Sequence, residues 1–182
     1  ELITAHAMSE LPSGSNPFKM NSEAKPIRDG YKLNGAKHYI TNAPVAKLIL
    51  AYAFTDKNKG YLGGITPFLI DSEMEGISID KVDKMGLKTC SMGTINFNNV
   101  LLEEENILSE LGSGYAIFME SMNWERLGMS AMITGRMERL IKSTSKIVQK
   151  KELTTFQAVT HPIAEATAQL EAIKSLVSNA TY

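Results

Sequence analysis

Cysteine is nearly absent from these 182 residues: Cys90 stands alone. One thiol excludes an internal disulfide framework and fits a reducing compartment. Histidine is scarce as well, with three scattered residues, so a structural metal site lacks its usual ligands. Neither sign of charge prevails. Lys and Arg number 19 against 20 Asp and Glu, a formal net charge of −1, which removes the electrostatic case for a nucleic acid or an anionic membrane as partner. Long apolar runs are missing too. The longest, Leu48 to Phe54, is far too short to span a bilayer, and no basic-then-apolar leader precedes it. The chain opens on Glu1 rather than Met, and Leu2 to Met8 already reads as a strand in mid-sheet, so the start is expected to be cut or unrecorded. What is present, 43% hydrophobic and 21% charged residues, is the make-up of an ordinary globular protein with room for one large or two small domains.

The pattern changes near residue 110. Before it, short β-prone runs alternate with turn signals at Asp29-Gly30, Asn34-Gly35, Gly63-Gly64, Gly76, Gly86 and Asn98-Asn99. Tyr31–Leu33 and Lys37–Ile40 flank Asn34-Gly35, which predicts a hairpin with a type I′ turn. Ile65 to Ile70 and Gly93 to Phe97 read as further strands, and the spacing predicts a small antiparallel barrel or sandwich. From Gly112 to about Gln149 proline is absent, and Phe118, Met122, Met129 and Met132 recur at helical steps. A second helix is expected from Pro162, which suits a first helical position, with the stripe Ile163, Ala166, Leu170, Ile173 and Val177. The expected domains are therefore 1–110, β, and 111–182, helical.

Glu125 interrupts the first helical stripe. On a wheel of about 100° per residue it lies close to one line with Phe118, Met122, Met129 and Met132. A carboxylate on an apolar face is desolvated, which disfavours its charged form and poises it to take a carbon-bound proton. The same spacing also fits a structural pair with a nearby arginine, or the rim of a cleft.

Several segments, in order, resemble the acyl-CoA dehydrogenase family. Ser9-Glu10-Leu11-Pro12-Ser13-Gly14-Ser15-Asn16 stands where the family reads Thr-Glu-Pro-Gly-Ala-Gly-Ser-Asp. Leu33-Asn34-Gly35-Ala36-Lys37-His38-Tyr39-Ile40-Thr41-Asn42 is similar to its Leu-Asn-Gly-x-Lys-x-Trp-Ile-Thr-Asn. Gly64–Ile70, Lys84–Lys88, Glu105–Leu108, Gly112–Tyr115 and Phe156–Val159 follow in family order.

The resemblance implies an α+β architecture: a small antiparallel β-barrel domain followed by antiparallel helices of an incomplete four-helix bundle. It implies FAD as cofactor, with Met8, Ser9, Gly14, Ser15, Tyr39 and Thr41 at the flavin or its diphosphate, and Tyr39 in place of the usual Trp. Trp124-Glu125-Arg126-Leu127 is similar to the segment where one branch carries its catalytic base; Glu125 is then the base and Arg126 an orienting charge at the substrate. The implied activity is α,β-dehydrogenation of an acyl thioester, acyl-CoA to trans-2-enoyl-CoA. The alternatives are an acyl-carrier-protein dehydrogenase of a secondary-metabolite pathway and a dehydrogenase-like scaffold without flavin. The implied partners are an electron-transfer flavoprotein or oxygen and further copies of the chain, as a homodimer or homotetramer. The implied location is the cytoplasm, or the mitochondrial matrix in a eukaryote. One departure stands out: Gln149 runs directly into Lys150-Lys151, where the family places Arg-x-x-Phe-Gly.

Overall fold

A computed structural model describes residues 2–181. The chain divides into two compact units, Glu1–Phe118 and Met119–Tyr182. The first is a curled seven-stranded sheet: β1 (Thr4–Ala7), β2 (Glu23–Ile27), β3 (Gly30–Thr41), β4 (Leu48–Phe54), β5 (Ile65–Asp71), β6 (Ile77–Lys81) and β7 (Met92–Leu102). A single helical turn, α1 (Gly60–Gly64), lies between β4 and β5. The hydrogen-bonded order is β1-β4-β2-β3-β7-β6, with β5 on the other side of β4. Most pairings are antiparallel as expected, but β1 and the start of β2 run parallel to β4. Apolar residues alternate inward along these strands. Leu33, Ile49, Phe68, Ile70, Ile95 and Val100 are all fully buried in one core.

The hairpin expected at Asn34-Gly35 does not form there. β3 runs straight through it, and the turn is one step earlier, where Ile27 pairs with Gly30. Asn34-Gly35 instead makes a bulge against β7: the register shifts between Leu33 and Gly35. Asn34 Oδ1 accepts from the Asn99 N–H at 2.9 Å, and its amide donates to Asn99 Oδ1 at 3.2 Å. Gly35 has a φ of +147°, and a Cβ on it would meet Ser22 Oγ at 2.2 Å. The glycine in this turn-like pair is there because Ser22, the residue entering β2, passes too close for a side chain.

Two helices follow, α2 (Gly114–Lys150) and α3 (Gln157–Asn179). In the second unit they run antiparallel, with the Glu120–Ser130 stretch of α2 beside Leu176–Thr181 of α3. Glu138 bridges them, 2.7 Å from Lys142 on its own helix and 3.2 Å from Lys174 on α3. Leu170 is buried, and its expected neighbours Ile163, Ala166, Ile173 and Val177 are half-buried.

The facing stripe on α2 is not the methionine stripe. Thr134 and Val148 are buried, with Leu127, Ile141 and Ser145 half-buried. Leu127, Thr134, Ile141 and Val148 are one heptad apart, so they share a face of the helix. That face lies roughly half a turn from Glu125. Met129 and Met132 are exposed, at 49% and 62%.

α3 also begins earlier than Pro162 predicts. The proline sits inside the helix, where its ring nitrogen offers no bond to the carbonyl one turn back, and the helix accepts that local loss because the stripe on either side packs on α2. The connection at 151–156 is a tight stop. Glu152 takes a left-handed φ of +54°, its N–H donates to Gln149 O at 3.0 Å, and the Leu153 N–H donates to Val148 O at 3.0 Å. Those two bonds are a Schellman motif with glutamate where glycine is usual.

Candidate functional site

The predicted flavin residues all lie in the first unit, and the fold brings two remote segments of them together. β1 ends at Ala7, and Met8-Ser9 continues alongside the middle of β3. There the His38 N–H donates to Ser9 O at 2.8 Å, and Lys37 Nζ donates to Met8 O at 3.2 Å. Met8 is buried; Ser9 is half-buried, and Gly14, Ser15 and Thr41 are exposed. Tyr39 is 61% exposed at a φ of +59°, within a second register shift of β3 against β7. A non-glycine residue in that region stores strain, and here the irregularity throws an aromatic ring outward from the sheet.

Two charged residues that carry no predicted role anchor this edge. Lys37 is fully buried, and its ammonium lies 2.8 Å from Glu10 Oε1. Glu10 also accepts the N–H groups of Asn21 at 2.6 Å and Ser22 at 3.1 Å. Burial alone raises the Glu10 carboxyl, but the charge and hydrogen bond of Lys37, with further bonds from Ser22 and Asn21, outweigh it and hold Glu10 below the usual carboxylate range. Burial pushes Lys37 down to about 8, against the opposing pull of Glu10. The only hint of this pair in the sequence is a lysine on the inward-facing side of a strand, together with the glutamate of the first signature.

The exposed edge is chemically suited to a dinucleotide flavin. Ser9, Ser15 and Thr41 present hydroxyls, and Gly14 and Ser15 lie in the exposed stretch that follows the 3-10 turn Leu11–Ser13. Nothing lies within 4 Å of where a Gly14 Cβ would stand, so backbone and diphosphate can meet there. Tyr39 offers an aromatic edge or face. Among the described residues no cluster of His, Cys, Asp and Glu could hold a metal ion.

The second unit holds the other two predicted residues, and it separates them. Arg126 lines a groove of about 600 Å³ between α2 and α3, with Asn123, Trp124, Leu127, Leu176 and Val177. Glu125 is exposed on the opposite face with Met129 and Met132. The desolvation expected from the methionine stripe is therefore absent at Glu125 in this chain.

Residues 5–100 match the family profile of the acyl-CoA dehydrogenase middle domain, and residues 112–182 that of the acyl-CoA dehydrogenase C-terminal domain. A curated relative, the L-prolyl-[peptidyl-carrier protein] dehydrogenase of a Serratia species, is 32% identical over all of this chain and 48% of its own length. Butyryl-CoA dehydrogenase from Megasphaera elsdenii superposes with a TM-score of 0.94 at 31% identity, over 98% of this chain and 48% of that one. A structure described as PigA with FAD and proline superposes with a TM-score of 0.89 at 32% identity, over 97% and 47%. The chain thus spans about half the length of the relatives it matches. With both profiles matched in order over the β unit and the helices, the chain belongs to the acyl-CoA dehydrogenase family.

Proposed function

We propose that this chain forms the flavin-binding β part and the first C-terminal helices of an FAD-dependent enzyme that dehydrogenates an acyl thioester between its α and β carbons. The observation that carries the reading is the edge where Met8-Ser9 lies along Lys37-His38, since it gathers Ser9, Tyr39 and neighbouring hydroxyls from two distant segments. Bound FAD supplies the ring that accepts a hydride from the β-carbon. Ser9, Gly14 and Ser15 hold its diphosphate; Tyr39 and Thr41 border its ring.

Glu125 takes the α-proton. It works from the face of α2 that it shares with Met129 and Met132, where an apolar acyl group lying on those side chains would exclude water from the carboxylate. Arg126, one residue on, is an orienting charge for the polar part of the substrate. With FAD bound as hydride acceptor, proton removal by Glu125 would leave a trans-2-enoyl thioester as the product. Reoxidation would fall to an electron-transfer flavoprotein or to oxygen. The working form would be a homodimer or homotetramer in the cytoplasm or a mitochondrial matrix.

A carrier-protein thioester is the second reading, and the match to the Serratia carrier-protein dehydrogenase favours it. Native mass spectrometry of the intact protein, followed by turnover with acyl-CoA and acyl-carrier-protein substrates, tests both. One FAD per subunit with turnover on either thioester supports the reading, and the preferred thioester decides between its forms. A folded protein with no flavin would sink it.

A further inference from the structure

The connection between β1 and β2 runs over residues 8–22 and contains one short 3-10 turn, Leu11–Ser13. Irregular connections of that length are uncommon and serve a purpose when they persist. This one is fastened at its root. Lys37 Nζ donates to Met8 O where the connection leaves β1, and to Glu10 Oε1 two residues further on. The Glu10 carboxylate then accepts from Asn21 and Ser22, where the connection enters β2. Both ends hang on two buried side chains that meet against the middle of β3.

A buried ion pair is an inefficient source of stability, since well-packed apolar residues of the same volume do as well or better. What such a pair supplies and an apolar pair does not is direction. The carboxylate needs its amides on one side and the ammonium on the other, so only one arrangement of the segment satisfies all of them. Nor does the pair draw an anion toward itself, because its charges cancel and both groups are buried. Its effect is geometric.

We propose that Glu10 and Lys37 are positioning residues that hold Ser9, Gly14 and Ser15 in a preformed arrangement for the flavin diphosphate. The inference rests on the flavin reading above. Ser9 stays against β3 through its carbonyl, and the connection beyond it carries Gly14 and Ser15 in the exposed stretch that follows the 3-10 turn. A binding loop fixed in advance loses less entropy when its ligand arrives.

The test is the Glu10→Gln/Lys37→Met double variant of the intact protein, compared with wild type by three readouts: unfolding of the apo form, hydrogen exchange of each amide, and FAD titration by flavin fluorescence. The expected result is apo stability near that of wild type, faster exchange confined to residues 9–22, and FAD affinity lower by about tenfold, the equivalent of one or two hydrogen bonds. A purely structural pair would change stability and leave affinity alone at matched stability. Unchanged exchange in 9–22, or faster exchange with unchanged affinity, overturns the proposal. If the double variant does not fold, Lys37→Met alone is put through the same readouts. Wild-type protein with no affinity for FAD is a separate failure, visible before any variant is made: it overturns the flavin reading and this inference with it.

Discussion

Replacing Glu10 by glutamine leaves the Lys37 ammonium buried with no other anion beside it among the described residues. Breaking a buried pair from that side costs about 3–5 kcal/mol, most of it the uncompensated charge. Lys37→Met should cost less, because the carboxylate keeps the Asn21 and Ser22 amides. The double variant, which leaves no unpaired ammonium, should sit near wild type, well short of the sum; denaturant melts of the four proteins measure the coupling. The pair also sets a pH dependence with two limbs. Glu10 titrates lower in the folded chain than its ordinary 4.5, so its stabilisation is in place above that value and is lost as pH falls through the lowered one. Lys37 titrates at about 8 when folded against 10.5 when free, so between those values the unfolded chain holds a proton that the folded chain has released. Its contribution to stability therefore rises with pH across that window. Melts of wild type and the double variant across both windows should show the variant with a shallower acid limb and no gain from about 8 upward; parallel curves would refute the linkage.

At the scale of elements, the stop between α2 and α3 is the clearest place to gain stability. Glu152 occupies the left-handed position of the Schellman motif, where a Cβ is strained and glycine is not. Glu152→Gly should stabilise the protein by about 0.5–1 kcal/mol, read as a higher denaturation midpoint at unchanged slope; a lower midpoint would mean that the glutamate side chain has a partner of its own. This stop also shows where sequence legibility ended. Strand and helix were told apart correctly because their periods differ, and the segment resemblance carried the family. Where the structure departs from the expected elements, local preference has lost to packing. Asn34-Gly35 has the chemistry of a hairpin turn, yet Ser22 needed the space that a side chain at 35 would fill. Pro162 suits a helix start, yet the stripe around it belongs to a helix begun five residues before. The α2 face that meets α3 includes Thr134, which donates its hydroxyl to Ser130 O at 2.7 Å and so can be buried without looking apolar in the sequence. Met129 and Met132, conspicuous in the sequence, were left outside.

For the molecule as a whole, those methionines matter more exposed than packed. A helix in a finished globular protein seldom leaves Met129, Met132 and Ile133 in water on one side while its opposite side is occupied. Glu125 sits among them, and its assignment as base makes a demand that separates binding from chemistry. The first unit carries the proposed flavin contacts, the second the carboxylate, so a change at Glu125 should leave the cofactor untouched. Glu125→Gln keeps the size and hydrogen-bonding reach of the side chain but cannot take a proton. In the intact protein it should retain FAD stoichiometry and thioester affinity while turnover drops about 100-fold or more, the usual contribution of a general base. The reduced-flavin signal in a single anaerobic turnover reports that step apart from reoxidation by the acceptor. Fast flavin reduction in Glu125→Gln would move the base to another residue and leave Glu125 as a polar group at the rim of the acyl site. Slow reduction with normal binding would place proton abstraction on the exposed face of α2, half a turn from the face that holds the two helices together.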